Sequence, residues 1–180
     1  MRSNRRTLFD DEPTGGADFS PCRVWRYYLW RRWDAGTTCV FIGLNPSTAD
    51  ETQDDPTIRR CIRFAQRWGH GGLVMLNAFA FRATDPRVMM ATDDPVGPRN
   101  DETIRDRSRA AAIIIAAWGV HCDESRQRRV CEVVGRPIHC LGLTKAGRPR
   151  HPLYLRADSK PVPFWSPRSG FAANDEGEDR

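Results

Sequence analysis

Apolar and polar positions alternate along this chain in short blocks. From Arg23 to Trp33, Trp25, Tyr27, Leu29 and Trp33 recur at a spacing of two, which predicts a strand with one buried side. Asp34-Ala35-Gly36 reads as a turn, and Thr37 to Leu44 as a short buried strand ending at Asn45-Pro46. Asp55 is placed to cap a helix with Pro56 at its first position, and Ile58, Cys61, Ile62 and Ala65 form its inward stripe. Arg59, Arg60, Arg63 and Arg67 take the other faces, as a solvated or phosphate-binding surface, and Gly69 to Gly72 stop the helix. Leu73 to Leu76 predicts a second buried strand ending at Asn77, followed by a proline-punctuated loop from Ala83 to Arg99. Asn100 or Asp101 then caps a helix, and Ala112 to Trp118 forms a third strand ending at Gly119. Ser125 to Val134 is helical, closed by Gly135 and Pro137, and Ile138 to Leu141 is a fourth strand. Beyond it lie the basic loop Lys145 to Arg150 and then His151-Pro152-Leu153.

Short apolar strands separated by helical stretches imply a sheet covered by helices on both faces. The expected fold is a three-layer α/β/α sandwich around a central, mostly parallel four-stranded sheet, with an N-terminal strand or hairpin added. Residues 1–20 read as a disordered polar tail, residues 21–163 as one domain, and residues 164–180 as a flexible tail with an acidic end. No apolar run approaches the roughly 20 residues of a membrane span, and no apolar stretch follows the N-terminal arginines as a secretory signal requires. A cytoplasmic monomer away from membranes is therefore expected.

Charge adds a partner class. The formal net charge is +5, and lysine occurs only at positions 145 and 160, so arginine carries almost all of the positive charge. Guanidinium groups favour bidentate contact with phosphate, which makes nucleic acid a reasonable partner; an arginine-rich coding bias produces the same count. The cysteines at 22, 39, 61, 122, 131 and 140 show no Cys-x-x-Cys pair and no histidine at ligand spacing. They read as small buried hydrophobes, and neither a metal nor an organic cofactor is expected.

In doubly wound sheets ligands bind beyond the carboxyl ends of the strands. Here that rule selects Asn45-Pro46-Ser47, Asn77, Trp118-Gly119 and the loop carrying His151. Cleavage of an N-glycosidic bond needs a group that positions water, a donor for the base oxygen that gathers charge, and an amide to read the base edge. Asn45, His151 and Asn77 are the matching types. Taken singly, each has a plainer role: Asn-Pro opens turns, Asn77 can cap one, Trp118 suits the core, and His151 suits a solvated loop.

Gly43-Leu44-Asn45-Pro46-Ser47 resembles the first motif of the mismatch-type uracil/thymine glycosylases. Val74 to Asn77 with Phe79 to Arg82 is similar to their base-reading strand, Trp118-Gly119 to the end of their next strand, and His151-Pro152-Leu153 to the opening of their wedge loop. More closely, Arg26 to Leu155 resembles a family of small bacterial and phage proteins with a Gly-Leu-Asn-Pro-Ser-Thr-Ala-Asp signature, standing here at Gly43 to Asp50 and catalogued as a domain of unknown function. The glycosylase resemblance implies that Asn45 holds the water and His151 stabilises the leaving base. Leu44, Pro46, Ser47, Asn77 and Phe79 would surround and read the base. Leu153 or Tyr154 would wedge into the nucleic acid, beside phosphate contacts from Lys145, Arg148 and Arg150. Asn45 stands where the most active glycosylases carry Asp, and a neutral amide takes no proton. Asp50, Asp54 or Asp55 is then the candidate acid beside the pocket.

The expected function is hydrolysis of the N-glycosidic bond of a flipped base, uracil or a modified pyrimidine, in single- or double-stranded DNA, in repair or phage base modification. The alternative is a non-catalytic nucleotide- or nucleobase-binding module in such modification or its sensing. A protein-interaction domain has the least support.

Overall fold

A computed structural model describes residues 14–172 of the chain. Strand β3 (Thr38–Gly43) shows why a central strand forms here: from Cys39 to Gly43 every residue is buried, with side chains alternating between two cores. Val40 and Ile42 join one core, while Cys39 and Phe41 join the other. Strand β4 (Gly72–Asn77) repeats this with Leu76 against Leu73 and Met75, and β5 (Ile113–Ala116) with Ile114 against Ile115. Helix α1 (Pro56–Arg67) covers one face through Ile58, Cys61, Phe64 and Ala65. The other face packs against Ile104 of α3 (Asn100–Ser108) and Val130, Cys131, Val133 and Val134 of α4 (Glu124–Val134). The result is a mixed α/β fold with helical layers on both faces of one sheet.

The sheet is larger than the sequence predicts. Its order is β1-β2-β4-β3-β5-β6-β7-β8, with β1 at Gly15–Phe19, β2 at Arg26–Arg32, β6 at Ile138–Cys140, β7 at Val162–Ser166 and β8 at Gly170–Phe171. The four central strands expected from sequence, β4, β3, β5 and β6, pair in parallel at its centre, and the expected N-terminal strand is β2. Two antiparallel strands extend each edge, so antiparallel pairings outnumber parallel ones and the expectation of a four-stranded, mostly parallel sheet is corrected. Parts of both expected tails belong to the sheet. Gly15–Phe19 pairs with β2, and Val162–Ser166 pairs with β6 and β8, although neither segment has the apolar run that marks a buried strand. The remaining tail residues, 1–13 and 173–180, lie outside the described residues.

Local signals placed the helices well, with three corrections. Asp55 does cap α1, its Oδ1 accepting from Ile58 N at 2.8 Å, but Phe64 is buried in the stripe where Ile62 is only partly so. The 83–99 loop contains a short helix, α2 (Pro86–Met90), capped by Asp85. Arg99, not Asn100 or Asp101, occupies the capping position of α3, because both of those side chains are drawn elsewhere. Five cysteines are buried, whereas Cys22 is exposed. No helix among the described residues is long and apolar enough to cross a membrane.

Candidate functional site

Beyond the carboxyl ends of β3, β4 and β5 lies a cavity of about 680 Å³, within the size range of pockets that hold small organic ligands. Its wall includes Leu44, Asn45 and Ser47 after β3, Asn77 at the end of β4, Trp118-Gly119 after β5, and Arg150-His151 beyond β6. All four segments selected from the sequence therefore converge on one cavity. The N-terminus of α1 closes it from above through Asp55, Thr57 and Ile58.

Asn77 is the most unusual of these residues. It is 1% exposed, and among the described residues neither its Oδ1 nor its Nδ2 has a hydrogen-bond partner. An unpaired buried polar group costs about 1–3 kcal/mol, so such a pair persists only where something other than stability is served. The surroundings hold this amide in place. A Cβ at Gly43 would stand 3.0 Å from Asn77 Oδ1 and 2.7 Å from Met75 Cε, so glycine is the residue that leaves room for both. Behind the strand, Asn100 Nδ2 donates to the Asn77 and Ala78 carbonyls at 3.0 and 3.1 Å, and Arg126 Nε donates to the Ala78 carbonyl at 2.6 Å. Asp101 grips Arg126 at 2.7 Å and Arg129 at 2.8 Å, and these arginines hold its carboxyl below the usual carboxylate range despite its burial. The side chains expected to cap α3 are thus committed to bracing the exit of β4.

Asn45 is tied by one end only. Its Nδ2 donates to the Ala83 carbonyl at 2.7 Å, the Pro46 carbonyl at 3.1 Å and the Phe81 carbonyl at 3.5 Å. Carbonyls only accept, so the amide orientation is forced and Oδ1 is left as a fixed acceptor. It can orient a water and cannot take its proton.

Among the described residues Asp55 is the one carboxylate on the cavity wall. One oxygen caps α1, and the other has no hydrogen-bond partner among those residues. Asp50 and Asp54, the other two candidates, are spent on structure: Asp50 Oδ1 accepts from Thr52 N and Gln53 N, and Asp54 pairs with Arg31 at 2.9 Å.

His151 opens a single 3-10 turn over Pro152–Tyr154, and its Nδ1 accepts from Leu153 N at 3.4 Å. In the neutral ring the proton then sits on Nε2. Burial pushes the His151 pKa below the ordinary histidine value, with the Asp55 charge opposing, so the ring is neutral near pH 7. Gly119 packs against it: its φ is +72°, and a Cβ there would lie 3.7 Å from His151 Cβ. The loop is anchored from α1, where Arg60 donates to the Leu155 carbonyl, which removes Arg60 from the proposed phosphate-binding face.

The remaining sequence candidates divide. Phe79 is 4% exposed, belongs to the core and is off the cavity wall, so its expected place around the base is corrected; its amide bonds the Leu44 carbonyl at 2.9 Å. Pro46 is buried and off the cavity wall, its carbonyl bonded by Ala83 N at 2.9 Å. Arg148 is engaged by Gln127 Oε1 at 3.3 Å and the Cys122 carbonyl at 3.4 Å, so it braces the loop and is not a free phosphate contact. Lys145 and Arg150 are exposed, and Arg150 also lines the cavity. Leu153 and Tyr154 are 43% and 84% exposed at the rim, with Tyr154 on the wall. Trp118 is 1% exposed, bonds Gln127 Oε1 at 3.2 Å and meets Phe164 edge-on, yet one edge reaches the cavity.

Sequence reading missed Arg26, Thr57 and His121 on the wall. Arg26 sits at the start of a strand, where an arginine signals nothing by itself. Burial pushes the Cys122 and Cys131 thiols up to about 12, so neither is a nucleophile near neutral pH. Among the described residues no three His, Cys, Asp or Glu side chains converge as metal ligands would.

Residues 26–153 match the family described as "Protein of unknown function (DUF1643)", which covers most of the chain, and the chain belongs to that family. No curated protein matches it, and no solved structure matches it.

Proposed function

We propose that this DUF1643 member binds a nucleobase in the cavity through Asn77 and hydrolyses the N-glycosidic bond that joins it to a sugar, in the manner of the uracil-DNA glycosylases its motifs resemble. The observation that carries the reading is the buried, unpartnered amide of Asn77 on the wall of a cavity at the strand ends. One donor beside one acceptor matches a base edge that presents a carbonyl next to a ring N–H, as uracil and related pyrimidines do.

The other groups fall into roles around that base. Asn45 Oδ1 accepts a hydrogen bond from the attacking water, and the free oxygen of Asp55 takes its proton. The water oxygen bonds to the sugar C1′ as the C1′–N bond breaks, and the bonding pair leaves with the base. His151, neutral with its proton on Nε2, donates to the base oxygen on which that charge collects. Tyr154 and Leu153 at the rim, with Lys145 and Arg150 beside them, suit the prising of a base out of a stacked strand.

A second reading is favoured by the pinned amide of Asn45: all of its donors go to backbone carbonyls, as in a purely structural turn. The cavity then binds a nucleotide without cleaving it. Abasic-site formation separates the two. Purified protein is incubated with single- and double-stranded oligonucleotides carrying uracil or modified pyrimidines. Hydrolysis predicts base release that Asp55→Asn and His151→Ala abolish. Intact glycosidic bonds throughout, with saturable binding of a nucleoside, would leave the binding module in its place. Neither release nor binding would remove both.

A further inference from the structure

We propose that the cavity holds an anion subsite built on Arg26, and that its ligand is a nucleotide whose phosphate enters the cavity along with the base. This deepens the nucleobase reading and rests on it for the identity of the group that accompanies the phosphate.

Arg26 is 1% exposed and lines the cavity. Among the described residues its one side-chain hydrogen bond is from Nη1 to the Ala49 carbonyl at 2.7 Å, its Nε is buried with no partner, and no carboxylate lies within ion-pair distance of it. Arg126, the other buried arginine among the described residues, is paired with Asp101 at 2.7 Å. The neighbouring strand arginine, Arg31, is paired with Asp54 at 2.9 Å and bonds the Asp50 carbonyl at 2.8 Å. Arg26 therefore differs from both in having open donors and no carboxylate in contact with it among the described residues.

Isolated buried charges are strongly disfavoured unless something pairs with them. Burial lowers the Arg26 pKa to about 10, which still leaves it cationic at neutral pH, and the nearby Arg31 and Arg82 add positive charge. Asp55 and Asp50 lie near enough to favour the cation but do not touch it. Asp55 shares the cavity wall, so a bound anion must sit on the Arg26 side. A guanidinium presents its donors as a planar fork that matches a phosphate bidentately, and a phosphate is the anion that accompanies a nucleobase. The depth of Arg26 selects a terminal phosphate that can enter the cavity over a phosphodiester held in a strand.

The test is calorimetric titration of the full chain with 2′-deoxyuridine, its 5′-monophosphate, inorganic phosphate and an oligonucleotide containing one internal deoxyuridine. The monophosphate is expected to bind at least tenfold more tightly than the nucleoside. That advantage should fall below threefold in Arg26→Gln and survive in part in Arg26→Lys, which keeps the charge and loses the fork. Weak competition by the oligonucleotide supports a free nucleotide, whereas competition at equal affinity would overturn the terminal-phosphate assignment. Equal binding of nucleoside and monophosphate by the wild type would overturn the subsite itself, whatever the variants do. A phosphate advantage that persists in Asn77→Leu without base preference would uphold the subsite and remove the base reading, so the two fail separately.

Discussion

Replacing Asn77 by leucine should make the ligand-free protein more stable while removing its capacity to read a base. Leucine has nearly the outline of asparagine but carries no polar atoms to desolvate. In the wild type both Oδ1 and Nδ2 are buried without partners. Taking the lower end of the penalty for each gives a gain of about 2 kcal/mol on substitution. For a chain of this size 1 kcal/mol moves Tm by roughly 2–4 °C, so the rise should be about 4–8 °C. Urea unfolding followed by tryptophan fluorescence measures the difference directly, since the chain has 6 tryptophans. Asn77→Asp is the contrasting variant: it keeps the shape, loses the donor and buries a carboxylate, and it should be less stable than wild type. If Asn77→Leu proves no more stable than wild type, the amide is satisfied within the fold and is not held open for a ligand.

Other outcomes follow from the same geometry. Gly43→Ala should lower stability by about 1–3 kcal/mol and weaken nucleoside binding, because its Cβ crowds Met75 Cε and Asn77 Oδ1; unchanged binding by titration would contradict the space argument. Asp55→Asn should keep the α1 cap and the melting temperature while ending base release, whereas Asp55→Ala should also lose about 1 kcal/mol in denaturant unfolding. His70, His139 and His151 all have pKa values pushed down by burial. Below about pH 6.5 the unfolded chain therefore takes up protons that the folded chain refuses, and stability falls with pH until the folded histidines also titrate. Unfolding measured between pH 8 and 5 should show that decline, with a shallower slope in His151→Gln. Arg150→Ala should weaken binding of an oligonucleotide and reduce its salt dependence, whereas Arg148→Ala should act on stability, since Arg148 is already engaged by Gln127 and Cys122.

Much of the fold was legible because its signals are local. The capping Asp55 with Pro56, the buried runs of β3, β4 and β5, and Gly135 at the end of α4 each encode their own position. The outer strands β1, β7 and β8 were not legible, since Gly15–Phe19 and Val162–Ser166 owe their conformation to a neighbour's backbone and not to their own pattern. The cavity's place was legible from the rule that ligands bind at strand ends. Individual roles were less so. Phe79 and Pro46 belong to the same motif segments as the cavity wall, yet Phe79 packs in the core and Pro46 is buried off the wall. Arg26 lies 19 positions before Asn45, and nothing in a strand's alternation announces that its guanidinium will be enclosed with no carboxylate in contact among the described residues. Asn100 reads as a helix cap because sequence shows the helix start and not the β4 carbonyls beside it.

The central claim, that Asn77 reads the edge of a bound base, is tested most directly by observing its side-chain amide. In nitrogen–proton correlation spectra of labelled protein, the Asn77 Nδ2 resonances, assigned by their loss in Asn77→Leu, should shift saturably as 2′-deoxyuridine 5′-monophosphate is added. Those resonances staying fixed while the nucleotide binds elsewhere, or no binding of any nucleobase at all, would contradict the account.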